Sequence, residues 1–494
     1  MRDAFGLAFV FFFGVAPYLS AAANDSVTTY HNGNHRHGAY AVPSLTLSAA
    51  ANMQRDPKFK PSISGHVYAQ PLYWKAADAK RGLVLVATES NDVYALDDST
   101  GVAVWHKSLG PAVPHSELPC GNIDPVGITG TPAIDPASGT LYLNALTHTA
   151  KGPKHRVYAL SLSDGSVLPN WPIDIEAALT KQGASFTSPT QGERSALLFF
   201  KNRLYVNYAG NFGDCGSYRG TVVQIDPAGA AVTANWQTRA NGGGIWAQGG
   251  LAGDGTYLYV TTGNTFGANT WSDGEAIIKL HPDLAHSDDP HDYFAPANWK
   301  DLDNSDQDLG GTEALPLNIV QSGKQPAKRV IAFGKDGKAY LADRQNLGGI
   351  GGEIQAVQVA NGAIRTAPAI YQTDTATMVA FASPSSSHCS GENITVLNVA
   401  AGGSSPVSFA WCAQMNGAGA PILTTTDGSA NPIVWAVGAE GDNELHGFNA
   451  LTGKTAFSGS GTAMSGLHHF QTILATRNRF YVGADNTVYA FKWN

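Results

Sequence analysis

A unit of alternating apolar strands and polar turns returns along almost the whole chain, and no other feature restricts its fold as strongly. Its clearest copy is GLVLVATESNDVYALDDSTGVAVW, Gly82 to Trp105. Two β-rich runs flank a short turn, and Asp97, Thr100, Gly101 and Trp105 punctuate the end. The same rhythm returns in GTLYLNALTHTAKGPKHRVYALSLSDG, NRLYVNYAGNFGDCGSYRGTVVQID, TYLYVTTGNTFGANTWSDGEAIIKL and KRVIAFGKDGKAYLADRQN. Weaker copies are TMVAFASPSSSHCSGENITVLNV, PIVWAVGAEGDNELHGFNALTG and the terminal NRFYVGADNTVYAF. That makes eight copies, roughly 50 to 60 residues apart, each with about four strands.

Repeats of that length predict an all-β, eight-bladed β-propeller of four-stranded blades. The last copy stops after its third strand, so the segment between about Val27 and Leu47 is expected to supply the fourth and close the ring. A ring explains how one domain, residues 24–494, outgrows the size at which a single core stops. With 14% charged residues, 43% hydrophobic residues and 55 glycines, the composition suits loop-rich β structure. The net charge of −8 comes without a Lys/Arg-rich run, which argues against nucleic acid or an anionic membrane surface as the main partner.

MRDAFGLAFVFFFGVAPYLSAAA, residues 1–23, reads as a secretory signal peptide cleaved near Ala23. The chain is therefore expected in a periplasm or outside the cell, and with no Cys after the cleavage site no lipid anchor is expected. In that setting Cys120, Cys215, Cys389 and Cys412 suggest two disulfides, with four reduced thiols as the alternative. Cys389 and Cys412 share a blade and form the simplest pair; Cys120 and Cys215 then bridge neighbouring blades. No CxxC occurs, which disfavours both zinc and covalent haem through CxxCH.

Long insertions concentrate between strands two and three and between blades, connections that open on one face: residues 147–156, 210–220, 263–275, 383–393, 111–126 and 292–311. One elaborated face on a rigid scaffold is where binding or catalysis is expected. Just before innermost strands stand His66, Arg194 and Arg365, joined by His468 and His469. Converging His and Arg side chains suit an anionic substrate or acid–base chemistry. HNGNHRHG (His31, His35, His37) reads as an exposed leader, with transition-metal binding as the alternative.

The unit ALDDSTGVAVW resembles the tryptophan-docking repeat of pyrroloquinoline quinone (PQQ) propellers, a mark of architecture that non-catalytic propellers share. A longer stretch, Gly242 to Arg344, resembles in order the cofactor-binding blades of quinoprotein alcohol dehydrogenases. The resemblance implies that Trp246 in GGGIWAQGG is the floor under a flat quinone. It implies that Asn264 in YLYVTTGN is a calcium ligand, for which an amide oxygen is suited. It makes Asp308 in DLDNSDQDLGGTEAL the catalytic base beside the metal, and Lys335 in IAFGKDGKAYLADR the cation beside the quinone oxygens. Arg194 joins the cofactor-binding set. A calcium loop of Asp301, Asp303 and Ser305 is a further option.

Two departures stand out. The family's ring of two adjacent cysteines is absent; Cys120 in LPCGNID lies near the corresponding loop, and a Cys120–Cys215 bridge is the stand-in available. The family's calcium-ligating Glu falls around GDCGSYRG, which offers Asp214 instead. The leading expectation is an exported PQQ- and calcium-dependent dehydrogenase oxidising an alcohol or sugar hydroxyl, with an external electron acceptor and no haem. A non-catalytic binding propeller that has lost the cofactor is one alternative. A cofactor-free polysaccharide lyase or hydrolase using His66, Arg194, Arg365 and His468 is the other.

Overall fold

Short runs with buried side chains, such as Leu83–Ala87 and Leu258–Thr262, are too apolar to stand at a surface and too short for helices. In a computed structural model, which describes residues 26–77, 79–321, 323–459 and 463–493, they pair into eight small antiparallel sheets. Together these form an eight-bladed β-propeller. The innermost strands of blades 1 to 8 are Leu72–Trp74, Ala133–Asp135, Leu198–Phe200, Ala252–Gly253, Leu315–Gln321, Ala369–Gln372, Ile422–Thr425 and Leu474–Ala475. Among the described residues, no helix is long and apolar enough to cross a membrane. The signal peptide expected over residues 1–23 lies outside the described residues.

Blades are joined by the features that punctuate the repeat. Trp105 of blade 1 donates its indole N–H to the Leu162 carbonyl of blade 2 at 2.9 Å, over Gly165, where a Cβ would stand 2.6 Å from the ring. Trp411 of blade 6 does the same to Ala450 of blade 7, at 2.7 Å. Asp97 accepts from the amides and hydroxyls of Ser99 and Thr100. Burial opposes its charge, but those donors hold its carboxyl down at about 2. Both disulfides join the expected partners, Cys120 to Cys215 across neighbouring blades and Cys389 to Cys412 within blade 6.

An N-terminal strand does close the ring, but it is Gln54–Arg55 rather than a piece of residues 27–47. It pairs antiparallel with Thr487–Lys492 of blade 8, and Asp56 beside it receives Arg479 at 3.0 Å and Lys492 at 3.4 Å. Residues 27–41 have a different job. They run around the inner strands and block the channel. Val27 pairs with Tyr73 of blade 1, and the Thr28 carbonyl accepts from Ile134 of blade 2. Arg36 donates to the carbonyls of Leu197 and Leu251. Asn34 O accepts from Gly253, His37 contacts Pro316 and Ile370, and Ala39–Ala41 lies parallel to Leu423–Thr425 of blade 7.

HNGNHRHG is therefore a plug, not an exposed leader. His31 and Arg36 are wholly buried. Burial drives the imidazoles down, to about 3 for His31 and about 4 for His37, so both are neutral hydrogen-bonding groups. They face different partners, Thr472 and Pro316, and do not converge on one ion.

Candidate functional site

The stretch GGGIWAQGG leaves blade 3 through two residues in the left-handed region, Gly242 at φ +82° and Gly243 at φ +63°. That turn folds Trp246 back over its own backbone: a Cβ on Gly244 would stand 2.7 Å from the indole nitrogen. Gly263, at the end of an inner hairpin of blade 4, has no room for a side chain either. A Cβ there would meet Asp308 Oδ1 at 2.3 Å and Trp246 Cδ1 at 3.0 Å. The glycines thus let Trp246, Asn264 and Asp308 crowd together.

Asp308 is 2% exposed. Its Oδ1 accepts from the Asn264 amide at 2.8 Å, and its Oδ2 meets Lys335 Nζ at 2.5 Å. Lys335 also reaches Asp306 at 2.9 Å. Burial alone would lower the ammonium, but Asp308 and then Asp306 outweigh it and hold Lys335 above its ordinary value. The side-chain oxygen of Asn264 is buried with no protein donor, and so is the indole nitrogen of Trp246 without an acceptor. Such atoms are rare in folded proteins and ask for a partner.

Acid surrounds this pair. Glu275, wholly buried, accepts from the Leu309 amide at 2.6 Å and leaves its other oxygen unpartnered. Burial first, then Asp308, pushes its carboxyl well above the ordinary range. Asp303 accepts from the amide and hydroxyl of Thr265, both at 2.7 Å, and is raised by burial. It sits on the short helix Trp299–Asn304, with the Ser305 hydroxyl turned to the Asp301 carbonyl, so Asp301, Asp303 and Ser305 do not form a calcium loop. Asp214 accepts from Tyr218 Oη at 2.6 Å; burial, with Asp308 and Asp306 adding to it, raises its carboxyl.

A cavity of about 830 Å³ opens over these groups. Its walls come from connections between strands two and three and between blades, the two classes of loop that share one face. Arg194, Asp214, Trp246, Asp308, Lys335, Arg365 and His469 all line it. The Arg194 guanidinium stands 6.0 Å from the centre of the Trp246 ring. Asn264 lies directly behind Asp308. Cys120 and its disulfide sit behind Gly213, outside the lining, and His66 and His468 turn to Asp485 instead. A smaller cavity shares Arg194, Gln248, His469 and Phe470 and adds Tyr30 of the plug.

Several groups here escape a reading of the sequence. Glu275 opens an apolar strand, where a lone acid looks like a solvated strand end. Glu193 and Glu313 occupy the same place before innermost strands as the expected Arg194 and Arg365, and that shared position was the available signal. Both are buried, each with an unpartnered oxygen.

No protein-family model matches the chain, and no curated protein matches it by sequence. Solved structures do. The chain is similar to a quinohemoprotein alcohol dehydrogenase from Comamonas testosteroni, with 15% identity and a TM-score of 0.64, over 95% of this chain and 81% of that one. A europium-containing methanol dehydrogenase matches with 15% identity and a TM-score of 0.61, over 93% and 89%. BamB from Moraxella catarrhalis, with 15% identity and a TM-score of 0.50, is covered to 98%. At such identities the likeness is one of fold: this is a PQQ-like propeller that resembles the quinoprotein alcohol dehydrogenases.

Proposed function

We propose that the protein is an exported dehydrogenase that oxidises a small alcohol or sugar hydroxyl with bound PQQ and calcium, passing electrons to an external acceptor. The observation that carries this reading is the buried, donorless oxygen of Asn264 behind Asp308, which with Trp246 lines the large cavity. Glu275 and Asp303 crowd here around Asp308, and the free acceptor atoms are oxygens. That donor set suits a hard cation. The neighbouring Trp246 suits a planar ligand. The resident groups therefore fit.

When bound, PQQ supplies the hydride acceptor and calcium the Lewis acid. The chain's own groups do the rest. Trp246 would hold the planar cofactor, Asn264 and Asp214 would offer oxygens to the cation, and Arg194 and Lys335 would meet the cofactor's polar groups. Two donors, the Asn264 amide and Lys335, orient the Asp308 carboxylate. As the substrate O–H enters, an Asp308 oxygen takes its proton. Lys335, 2.5 Å from that carboxylate, stabilises negative charge that develops at the site.

Asp308→Asn keeps the shape and removes the base. Turnover should fall by about 10²- to 10⁴-fold while PQQ binding is retained. Unchanged turnover in steady-state assays of the PQQ- and calcium-loaded protein overturns the assignment.

A further inference from the structure

A second cluster lies at the seam where blade 8 meets blade 1, and none of its members is needed for the chemistry above. His66 Nδ1 is 2.8 Å from Asp485 Oδ1, and His468 Nε2 is 2.5 Å from the same oxygen. The three ligand-capable atoms all lie within 4.8 Å of one another. Two imidazole nitrogens thus converge on one carboxylate oxygen and assemble a His–His–Asp donor set. One ion placed among the three atoms would satisfy all of them. We infer that His66, His468 and Asp485 form a site for a divalent first-row transition cation, zinc foremost.

The donor chemistry selects that class. Imidazole nitrogen with one carboxylate suits zinc, cobalt or iron, whereas calcium takes oxygen ligands in larger number. The loops that carry the ligands are held in place without any ion. Asn486 exchanges two hydrogen bonds with Gly65, the neighbour of His66: its amide donates to Gly65 O at 3.0 Å and its side chain accepts from Gly65 N at 2.9 Å. Asp485 N donates to Gly466 O at 2.9 Å, two residues before His468. Tyr68 stacks on the His468 ring at 4.2 Å and fixes its plane. The other His468 nitrogen faces Glu440 at 3.9 Å, placing a carboxylate behind a metal-binding imidazole.

Exposure of the three side chains is intermediate, 40% for His66, 18% for His468 and 27% for Asp485, so solvent reaches the remaining coordination positions. His66 belongs to the entry into blade 1 and the other two ligands to blade 8. A bound ion would therefore clasp the first blade to the last.

The test is to titrate the chelator-treated, untagged mature protein with Zn²⁺ by calorimetry and with Co²⁺ by visible absorption. Saturable binding of one equivalent is expected, unaffected by excess calcium. It should weaken by ~10-fold or more in His66→Ala and in Asp485→Asn, and be unchanged in His106→Ala, which removes an exposed imidazole elsewhere. Should a variant fail to fold, the cobalt spectrum of the unaltered protein decides. Intensified bands of low-coordinate cobalt support the site, and a spectrum identical to aqueous cobalt overturns it. Absence of one-equivalent binding, or its persistence in both ligand variants, overturns it equally.

Discussion

Glu89 shows how a single buried side chain sets a pH response. It is wholly buried and accepts from the Gly127 amide at 2.7 Å and the Thr129 hydroxyl at 3.2 Å. Burial outweighs those donors and raises the carboxyl from 4.5 to about 7. Its folded value lies above its unfolded one, so its favourable contribution is complete below about pH 4.5 and is lost as pH rises to about 7. Glu89→Gln keeps an acceptor and removes the titration. The variant should gain stability over the parent as pH climbs through that window, approaching about 3 kcal/mol above it. Urea midpoints at pH 5 and pH 8 check this, and an equal difference at both contradicts it. Of the residues that line the large cavity, Trp246, Asp308 and Lys335 were legible because each sits in a local pattern of its own. Glu275, which lies outside that lining, was not, because what makes it notable is its buried place near Asp308, a residue distant from it in sequence.

At the scale of elements, the plug is the part that local pattern could not disclose. Repeats and turn residues identify blades through contacts within a few residues of each other. Residues 27–41 have no such period; their partners are inner-strand carbonyls and amides spread from Tyr73 to Leu423. Histidines and asparagines in that stretch read as polar and exposed, yet they are polar because they must meet buried backbone groups. Arg36 is the clearest case. Its guanidinium donates to Leu197, Leu251, Tyr30 and Thr29 with no exposure at all. Arg36→Met should cost about 3–5 kcal/mol, because those acceptors lose their donor in the interior. Denaturant titration measures it, and a loss below about 1 kcal/mol contradicts the plug's structural role.

For the whole molecule, closure joins sequence ends that are far apart, and the strand that does it is only two residues long. The eight repeats announce a ring, and the incomplete last copy announces that the N-terminus closes it. The position of the closing strand stayed out of reach because Gln54–Arg55 carries no alternating pattern, while residues 39–41, which do, pair with blade 7. A chain beginning at Pro61 lacks plug and closing strand together. It should fail to give the parent's cooperative melt and elute as aggregate; an unaltered melting temperature by circular dichroism contradicts this closure. On this frame the cavity collects residues from blades that are distant in sequence, so the dehydrogenase reading rests on the assembled ring rather than on any motif. The measurement that tests it most directly is titration of the purified mature protein with PQQ, with and without calcium, followed by absorbance and Trp fluorescence. Calcium-dependent, saturable quenching that disappears in Trp246→Ala is the predicted result. No binding under either condition would contradict the reading and leave a propeller that shares the fold without the cofactor.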